Sequence, residues 1–367
     1  MGPSTIVMFV VGVVALVAGA EAMVRGAARL ATRTGLSPII IGLTVVAFGT
    51  SAPELAVSVG ASINGEADLA IGNVVGSNIA NVLLVLGLSA VVGGGLVVAQ
   101  RIVRVDVPLV VGASILVMVF SLNNRLGRFE GLTLILLLVI YLVWTIRSAQ
   151  RGGAPHIEAE FSEALDHEKV REVSVWADLG YVVAGLVLLV AGAQLLVGAA
   201  TDIAVQLGVS QLVIGLTVVA VGTSLPEIAT SILAAARGER DLAVGNAIGS
   251  NLFNLLAVLG ITAAVSPQAL NVLQGAITVD MPVMIAASVA CLPLFATGYV
   301  LERWEGAVFF GFYVAYISWL VLDATDHGLR DSYRSAMLLF VLPLVLLTMT
   351  VILSREWRRR RGLVPTR

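Results

Sequence analysis

The sequence predicts an all-α polytopic membrane protein with about 11 transmembrane helices, arranged as two inverted-topology five-helix repeats plus one extra C-terminal helix. Three observations predict this class: an apolar composition, long apolar runs and an internal repeat. The chain has 367 residues, of which 58% are hydrophobic and 13% are charged, whereas soluble domains are roughly 45–50% apolar and about 25% charged. Many of the apolar runs reach the ~20 residues that a helix needs to cross a bilayer core.

The same composition argues against several functional classes. The formal net charge is −2, which gives no basic footprint for nucleic acid. The single cysteine, Cys291, excludes an internal disulfide and a cysteine-based metal site. The three histidines lie in polar loops, at His156, His167 and His327. We therefore expect no resident cofactor and no enzymatic activity, and the predicted partners are ions and the lipid bilayer.

Eleven apolar spans follow one another along the chain. They lie near residues 4–30, 37–63, 68–93, 102–121, 127–146, 175–204, 210–236, 241–265, 276–297, 303–323 and 335–354. We do not interpret the first span as a signal peptide, because no positively charged segment precedes it. The predicted parts are a first five-helix repeat (1–147), a cytoplasmic linker (148–174), a second five-helix repeat (175–323), and an extra helix with an arginine-rich cytoplasmic tail (324–367).

An internal repeat is the strongest feature of the sequence. Residues 41–81, IGLTVVAFGTSAPELAVSVGASINGEADLAIGNVVGSNIAN, align without a gap on residues 214–254, IGLTVVAVGTSLPEIATSILAAARGERDLAVGNAIGSNLFN. The alignment gives 26 identities in 41 positions at a constant offset of 173 residues. The offset extends back to VAGA at 17–20 and 190–193. Two homologous halves of about five spans are therefore present, and the eleventh span is an addition.

The odd number of spans in each half predicts that the second half enters the membrane from the opposite side. With an external N-terminus, 18 of the 22 basic residues fall on the internal side. The external side receives Arg125, Arg128, Arg330 and Arg334. Because basic residues are enriched in cytoplasmic loops, we predict an external N-terminus and a cytoplasmic C-terminus in a prokaryotic-type inner membrane.

Two short motifs interrupt corresponding apolar spans, GTSAPE at 49–54 and GTSLPE at 222–227. A proline inside a helix cannot donate to the hydrogen-bond ladder and crowds the carbonyl four residues earlier. Pro53 and Pro226 therefore predict a kink in each repeat, with carbonyl oxygens freed in the preceding turn. Inverted repeats with such interrupted helices are typical of secondary transporters, whose site lies where the repeats meet.

An acidic residue follows each of these prolines. Glu54 and Glu227 would face one cavity, and an ionisable residue inside a membrane is functional by default. Two carboxylates, several carbonyl and hydroxyl oxygens and no soft donor make a site that suits a hard cation. The residues themselves therefore predict a site for Ca²⁺ or Na⁺.

A second pair of motifs, GNVVGSN at 72–78 and GNAIGSN at 245–251, lines the same site. In each, an asparagine, a serine and a further asparagine follow one another at intervals of four residues, on one helical face. These residues are Asn73, Ser77 and Asn81 in the first repeat, and Asn246, Ser250 and Asn254 in the second. The glycines of the motifs, which permit close approach of helices, are Gly72, Gly76, Gly245 and Gly249.

Together these motifs resemble the two alpha-repeats of the sodium/calcium exchanger branch of the calcium/cation antiporter superfamily. The resemblance covers both repeats and the spacing between their motifs. It implies an antiporter that exchanges Na⁺ for Ca²⁺ by alternating access. We expect the first and sixth spans to slide as gates over a fixed core made of spans 2–3 and 7–8.

The resemblance also implies which residues bind the ions. Calcium would be bound by Glu54 and Glu227 with the carbonyl oxygens of Thr50 and Thr223. Sodium would use the same glutamates, and its other ligands would be the carbonyls of Ala47 and Ala220 and the hydroxyls of Ser51, Ser77, Ser224 and Ser250. Asn81 and Asn254 would hold the middle position with water. Potassium-dependent relatives carry Asp in place of Asn254, so no potassium requirement is expected.

Other functions stay open at this stage. A proton/calcium antiporter shares the repeats, but that branch usually carries a glutamate in the helix of the GN motif, where this chain has none. A cation channel could use paired glutamates, although broken helices in inverted repeats favour alternating access. An intramembrane hydrolase would need a base beside Ser51 or Ser224, and no histidine lies in any predicted span.

Overall fold

The computed structural model describes residues 3–151, 175–208, 214, 217–218, 220–296, 298–325, 327–337 and 350. Most of the described chain is helical, because a helix satisfies its own backbone hydrogen bonds within lipid. The predicted linker beyond residue 151 and the predicted eleventh span beyond residue 337, except residue 350, lie outside the described residues.

Helices form nearly all of the described structure. They are α1 Pro3–Thr34, α2 Pro38–Thr50, α3 Ala52–Ile63, α4 Ala67–Gly93, α5 Ile102–Phe120, α6 Arg128–Arg151, α7 Val175–Gln206, α8 Leu225–Ala236, α9 Arg240–Val265, α10 Ala276–Ala296, α11 Arg303–Ala324 and α12 Arg330–Ala336. Among the described residues, eight helices are long and apolar enough to cross a membrane, and the bent pair α2–α3 makes nine if it is one span. The chain is therefore an integral, multi-pass membrane protein, and α8 covers part of the predicted seventh span.

Helices α4 and α9 form the centre of the molecule. The most apolar window of each is 83% buried, compared with 11% for α11. The outer helices instead direct large apolar side chains outward, for example Phe129 of α6 and Val187 of α7. A surface of this kind suits lipid rather than water, so the polar residues of α4 and α9 lie at the inside of the bundle.

The predicted kink in the first repeat is present. Helices α2 and α3 meet at a bend of 41° between Thr50 and Ala52. Pro53 has no N–H group, so the Gly49 carbonyl loses its usual helical partner. The prediction that carbonyl oxygens are freed in the turn before Pro53 is wrong for Ala47, because its oxygen accepts a hydrogen bond of 3.0 Å from the Ser51 amide.

The second repeat has a corresponding break before α8. A short helical turn spans Ala220–Gly222, and Pro226 is in the first turn of α8. Here the Ser224 amide donates to the Val221 carbonyl at 3.1 Å, which is a tighter turn than in the first repeat. Both half-helices, α3 and α8, therefore begin at the proline motifs.

Helices α1 and α7 are packed backbone to backbone. A Cβ atom at Gly19 would lie 2.7 Å from the Leu189 nitrogen, and one at Gly12 would lie 2.9 Å from the Leu196 nitrogen. Only glycine permits such an approach. Because residues that lie earlier in α1 contact residues that lie later in α7, the two helices are antiparallel. Each has 32 residues.

Two small antiparallel sheets join loops of the first half to loops of the second. Strand β1 Leu96–Val97 pairs with β4 Val300–Leu301, and β2 Arg125–Leu126 pairs with β3 Leu270–Asn271. At the 173-residue offset β1 corresponds to residues 269–270, which overlap β3 by one residue, yet β1 pairs with β4. Loops at equivalent positions of the two repeats therefore lie in different sheets.

Candidate functional site

Glu54 and Glu227 lie in the first turns of α3 and α8, directly after the two helix breaks. Both residues are fully buried, at 0% exposure. None of their four carboxylate oxygens has a hydrogen-bond partner within the described part of the chain. A buried carboxylate without a partner is strongly unfavourable, so this pair of groups is suited to a positively charged ligand.

Each carboxylate lies next to the broken turn of the other repeat. Glu227 is beside the hydroxyl groups of Thr50, Ser51 and Ser250, and Glu54 is beside Thr223. The two carboxylates are also close enough to repel each other. The structure therefore brings residues of both repeats to one site that is rich in oxygen atoms.

The hydroxyl groups of the site contact each other across the two repeats. The Ser224 hydroxyl donates to the Ser77 hydroxyl at 3.2 Å, and the oxygens of Thr50 and Ser250 are 3.3 Å apart. All four residues are buried. Four of the predicted sodium and calcium residues therefore form two pairs, each of which joins the two repeats.

Asn81 and Asn254 occupy equivalent places in the two central helices. Each is fully buried and begins a π-helical segment, Asn81–Leu86 in α4 and Asn254–Val258 in α9. Their amide atoms have no hydrogen-bond partner among the described residues. Short π segments inside helices frequently occur at functional sites, and the unpaired amide oxygens are additional candidate ligands or partners of water.

The two predicted alanine positions lie on the N-terminal side of the breaks. Ala47 is fully buried, and Ala220 begins the turn that precedes Thr223. The proposed liganding atoms are their backbone carbonyl oxygens, and the Ala47 carbonyl accepts hydrogen bonds from the Ser51 amide at 3.0 Å and from the Thr50 hydroxyl at 3.4 Å. The role of both carbonyls as ligands stays a prediction.

The close packing predicted for the motif glycines is present in the second repeat. A Cβ atom at Gly249 would lie 2.8 Å from the Ala47 side chain, and one at Gly245 would lie 2.8 Å from the Ile39 carbonyl. Helix α9 therefore fits tightly against α2. The segment that would face Gly72 and Gly76 at the 173-residue offset includes residues outside the described set, so that half stays a prediction.

Two serines of the site were not predicted from the sequence. Ser58 and Ser231 are fully buried, four residues after Glu54 and Glu227, respectively. They accept hydrogen bonds of 3.0 and 2.9 Å from the side-chain amides of Asn73 and Asn246. Both repeats have a serine at this position, one helical turn after the acidic residue, and this repetition is the signal that could have revealed them.

A family model described as sodium/calcium exchanger protein matches residues 4–147 and 178–322 of the chain. The chain belongs to the sodium/calcium exchanger family. This family is a transporter family and not an enzyme family. As a member, the chain is a cation/calcium antiporter, and the family implies Na⁺ and Ca²⁺ as the transported ions. The resemblance found in the two repeat motifs is thereby confirmed.

Individual relatives agree with this membership of the exchanger family. The sodium/calcium exchanger MaX1 of Methanosarcina acetivorans is 34% identical over 341 residues, which covers 84% of this chain and 96% of that protein. The inner membrane protein YrbG of Escherichia coli is 36% identical over 288 residues, covering 77% and 86%. A solved structure of the sodium-calcium exchanger NCX_Mj superimposes with a TM-score of 0.73 at 31% identity, covering 87% of this chain and 99% of that chain.

Proposed function

We propose that this antiporter exchanges Na⁺ for Ca²⁺ by alternating access through one site formed by Glu54 and Glu227. The observation that carries the proposal is that two fully buried carboxylates, one from each repeat, lie beside hydroxyl oxygens and have no hydrogen-bond partner among the described residues. An arrangement of hard oxygen donors with two negative charges suits Ca²⁺ and Na⁺.

Charge explains how the two ions compete in this proposal. One Ca²⁺ neutralises the two carboxylates, whereas three Na⁺, the ratio suggested by the family resemblance, leave a net charge of about +1. An empty site keeps two like charges close together in a medium of low dielectric, which is unfavourable. The exchanger therefore changes conformation when loaded, and binding of one ion displaces the other.

The ligand set follows from the positions of the oxygens. Calcium takes both glutamates and the carbonyls of Thr50 and Thr223. The remaining sodium ligands in this assignment are the carbonyls of Ala47 and Ala220 and the hydroxyls of Ser51, Ser77, Ser224 and Ser250. Asn81 and Asn254 hold the middle position with water. The support for this assignment is that the glutamate, threonine and serine side chains are in one place.

The proposed arrangement of the two repeats is inverted, with boundaries at 1–147 and 175–323. Two observations support it. The equivalent helices α1 and α7 run antiparallel, and strands β1 and β3, which overlap by one residue at the 173-residue offset, lie in different sheets. With the uneven distribution of basic residues, this arrangement gives an external N-terminus, a cytoplasmic C-terminus beyond an eleventh span, and a place in the inner membrane.

Transport by the purified protein in vesicles tests the proposal. Vesicles loaded with Na⁺ should accumulate Ca²⁺ when diluted into sodium-free medium, and a sodium ionophore should abolish the uptake. Replacing external K⁺ by an inert cation should change nothing, because Asn81 and Asn254 add no charge for a further monovalent ion. At clamped membrane potentials the rate should depend on voltage, and voltage-insensitive uptake would reject unequal ion numbers.

The same vesicles discriminate the alternative, a proton/calcium antiporter. That function requires Ca²⁺ uptake driven by a pH gradient in the absence of Na⁺. No acid replaces Asn73, Ser77, Asn246 or Ser250 in the two GN motifs, which favours sodium coupling. Uptake driven by protons alone would assign the chain to the other branch.

A further inference from the structure

Asn246 connects the two repeats inside the site. Its side-chain nitrogen donates to the Ser231 hydroxyl at 2.9 Å, and its side-chain oxygen accepts from the Thr50 hydroxyl at 3.1 Å. All three residues are fully buried. Because Ser231 belongs to the second repeat and Thr50 to the first, one amide joins α8 to the broken turn at the end of α2.

Asn73 makes the equivalent connection with the roles of the two repeats exchanged, because it joins α3 of the first repeat to the broken turn of the second. Its nitrogen donates to the Ser58 hydroxyl at 3.0 Å and to the Glu54 backbone carbonyl at 3.3 Å, while its oxygen accepts from the Thr223 hydroxyl at 3.2 Å. A backbone carbonyl can only accept. The contact with the Glu54 carbonyl therefore fixes which end of the amide faces α3 and which faces Thr223.

The position of the four hydroxyl groups along the chain is regular. Each serine lies four residues after the glutamate of its own repeat, and each threonine lies four residues before the glutamate of its own repeat. Each amide thus links the helical turn after one glutamate to the turn before the other. Neither asparagine is among the ion ligands that the proposed function assigns.

The amides also determine where the hydroxyl protons point. The Thr50 proton is directed at the Asn246 oxygen at 3.1 Å, since the Ala47 carbonyl at 3.4 Å is the more distant acceptor. The Thr50 oxygen also lies 3.3 Å from the Ser250 oxygen. The Ser250 hydroxyl, a proposed Na⁺ ligand, therefore lies against a threonine hydroxyl whose orientation is set by Asn246. A hydroxyl group whose proton faces a cation would repel it.

We propose that Asn73 and Asn246 are positioning residues that orient the hydroxyl ligands of the site, and that they thereby set its affinity for Na⁺ relative to Ca²⁺. The inference rests on the proposed function, in which Na⁺ uses serine hydroxyls whereas Ca²⁺ uses carboxylates and carbonyls. Loss of the amide leaves the carboxylates charged but frees the hydroxyl groups to rotate. Sodium binding is therefore weakened more than calcium binding.

The test uses Asn246→Leu and Asn73→Leu, which keep the approximate size of the side chain and remove its hydrogen bonds. Calcium is titrated calorimetrically into the purified full-length protein at a series of Na⁺ concentrations. We expect the half-saturating Na⁺ concentration to rise about tenfold, the effect of a lost buried hydrogen bond. The Kd for Ca²⁺ without Na⁺ should change less than about threefold, within the usual scatter of such effects.

Serine variants provide a matched control and a safeguard. Ser58→Ala and Ser231→Ala leave the asparagines in place but remove the acceptors that hold them, so the half-saturating Na⁺ concentration should rise about threefold. Ser62→Ala is the control, because that hydroxyl is one turn further along α3 and, within the described structure, bonds to the Val59 carbonyl of its own helix alone. If the leucine variants do not fold, the serine variants decide the question.

Two results would overturn the inference. Folded leucine variants that bind both ions as the unmodified protein does would show that the amides orient nothing. An equal proportional loss for Na⁺ and Ca²⁺ would assign them a purely structural role. Failure of the proposed function gives a different result, since unmodified protein would then bind Ca²⁺ without competition from Na⁺ before any variant is compared.

Discussion

The proposed site depends on the two buried glutamates, Glu54 and Glu227. A charged side chain inside a membrane is expensive, and here two of them are placed side by side without a hydrogen-bond partner in the described structure. Mutual repulsion and burial both disfavour the empty site. Binding of a cation removes both penalties at once, so the affinity of the site depends on the presence of both charges.

Glu54→Gln and Glu227→Gln should each abolish Ca²⁺ transport. Either change halves the negative charge that faces Ca²⁺ and places an amide nitrogen, which is a donor, where a ligand oxygen was. Sodium-driven Ca²⁺ uptake into vesicles measures the loss, and circular dichroism with size-exclusion chromatography checks folding.

The matched control for this experiment is the acidic pair at the helix ends, Glu66 and Glu239. These residues are also equivalent in the two repeats, and they occupy the N-cap positions of α4 and α9 rather than the centre. Glu66→Gln and Glu239→Gln should keep most of the uptake. Near-normal uptake by a folded Glu54 or Glu227 variant would refute the site assignment.

The sequence predicts the chemistry of the site better than its internal connections. An acid next to a proline inside an apolar run is conspicuous, so Glu54 and Glu227 are found at once. A buried serine such as Ser58 resembles the many serines that bond their own helix. Its partner, Asn73, is 15 residues away and meets it only after α3 and α4 have packed. Contacts of this kind depend on tertiary structure.

At the scale of elements, the kinks follow from sequence and the π-helical segments do not. Pro53 removes a hydrogen-bond donor, which produces the bend of 41° between α2 and α3. The π segments in α4 and α9 begin at Asn81 and Asn254 without a proline or another local breaker. They require the packing of the central helices, so the depth and direction of these asparagine side chains could not be predicted from helical periodicity alone.

Gly185→Val should destabilise the pair of long helices α1 and α7. A Cβ atom at Gly185 would lie 2.6 Å from the Met23 nitrogen and 2.8 Å from the Gly19 carbonyl, so the two backbones must separate. Overpacking of this kind typically costs about 1–3 kcal/mol. We expect a lower thermal unfolding temperature in detergent and slower Ca²⁺ uptake, since the two helices form one moving unit in the proposed mechanism.

Gly180→Val is the matched control, because it makes the same substitution on the same helix. Gly180 is exposed, and a Cβ atom there would meet no described atom within 4 Å. The intrinsic cost of valine in a helix is present in both variants. Equal unfolding temperatures for the two would contradict the close packing of α1 on α7.

At the scale of the whole molecule, the two ends of the repeats are not equally closed. Helix α1 packs against α8, and Glu21 of α1 forms ion pairs with Arg25 and, at 2.5 Å, with Arg237 at the end of α8. At the 173-residue offset Glu21 and Arg237 correspond to Gln194 and Asn64, and both of these are exposed. The contact between α1 and the end of α8 is thus held by charge, and neutral amides occupy the two equivalent positions, Gln194 and Asn64.

A similar difference appears in the half-helices. Thr230 of α8 is fully buried, whereas its equivalent in α3, Val57, is 40% exposed. In the proposed orientation α8 leads from the site to the cytoplasm and α3 leads to the outside. On this orientation we expect the ion pair between Glu21 and Arg237 to stabilise a state that is closed at the cytoplasmic end.

The double variant Glu21→Gln with Arg237→Asn should shift the conformational balance toward the state that is open to the cytoplasm. These substitutions give the cytoplasmic end the same residues as the external end. Exposed ion pairs contribute up to about 1 kcal/mol, which is a factor of about five in a population ratio.

The ratio of the two states is measured from electron spin resonance distances between labels at Val57 and Val187, after Cys291→Ala. Asp323→Asn, which breaks an exposed ion pair of 2.8 Å with Arg330 away from α1, should leave the ratio unchanged. An unaltered ratio in the double variant, or an equal shift in the control, would contradict a role for the ion pair between Glu21 and Arg237 in setting the balance.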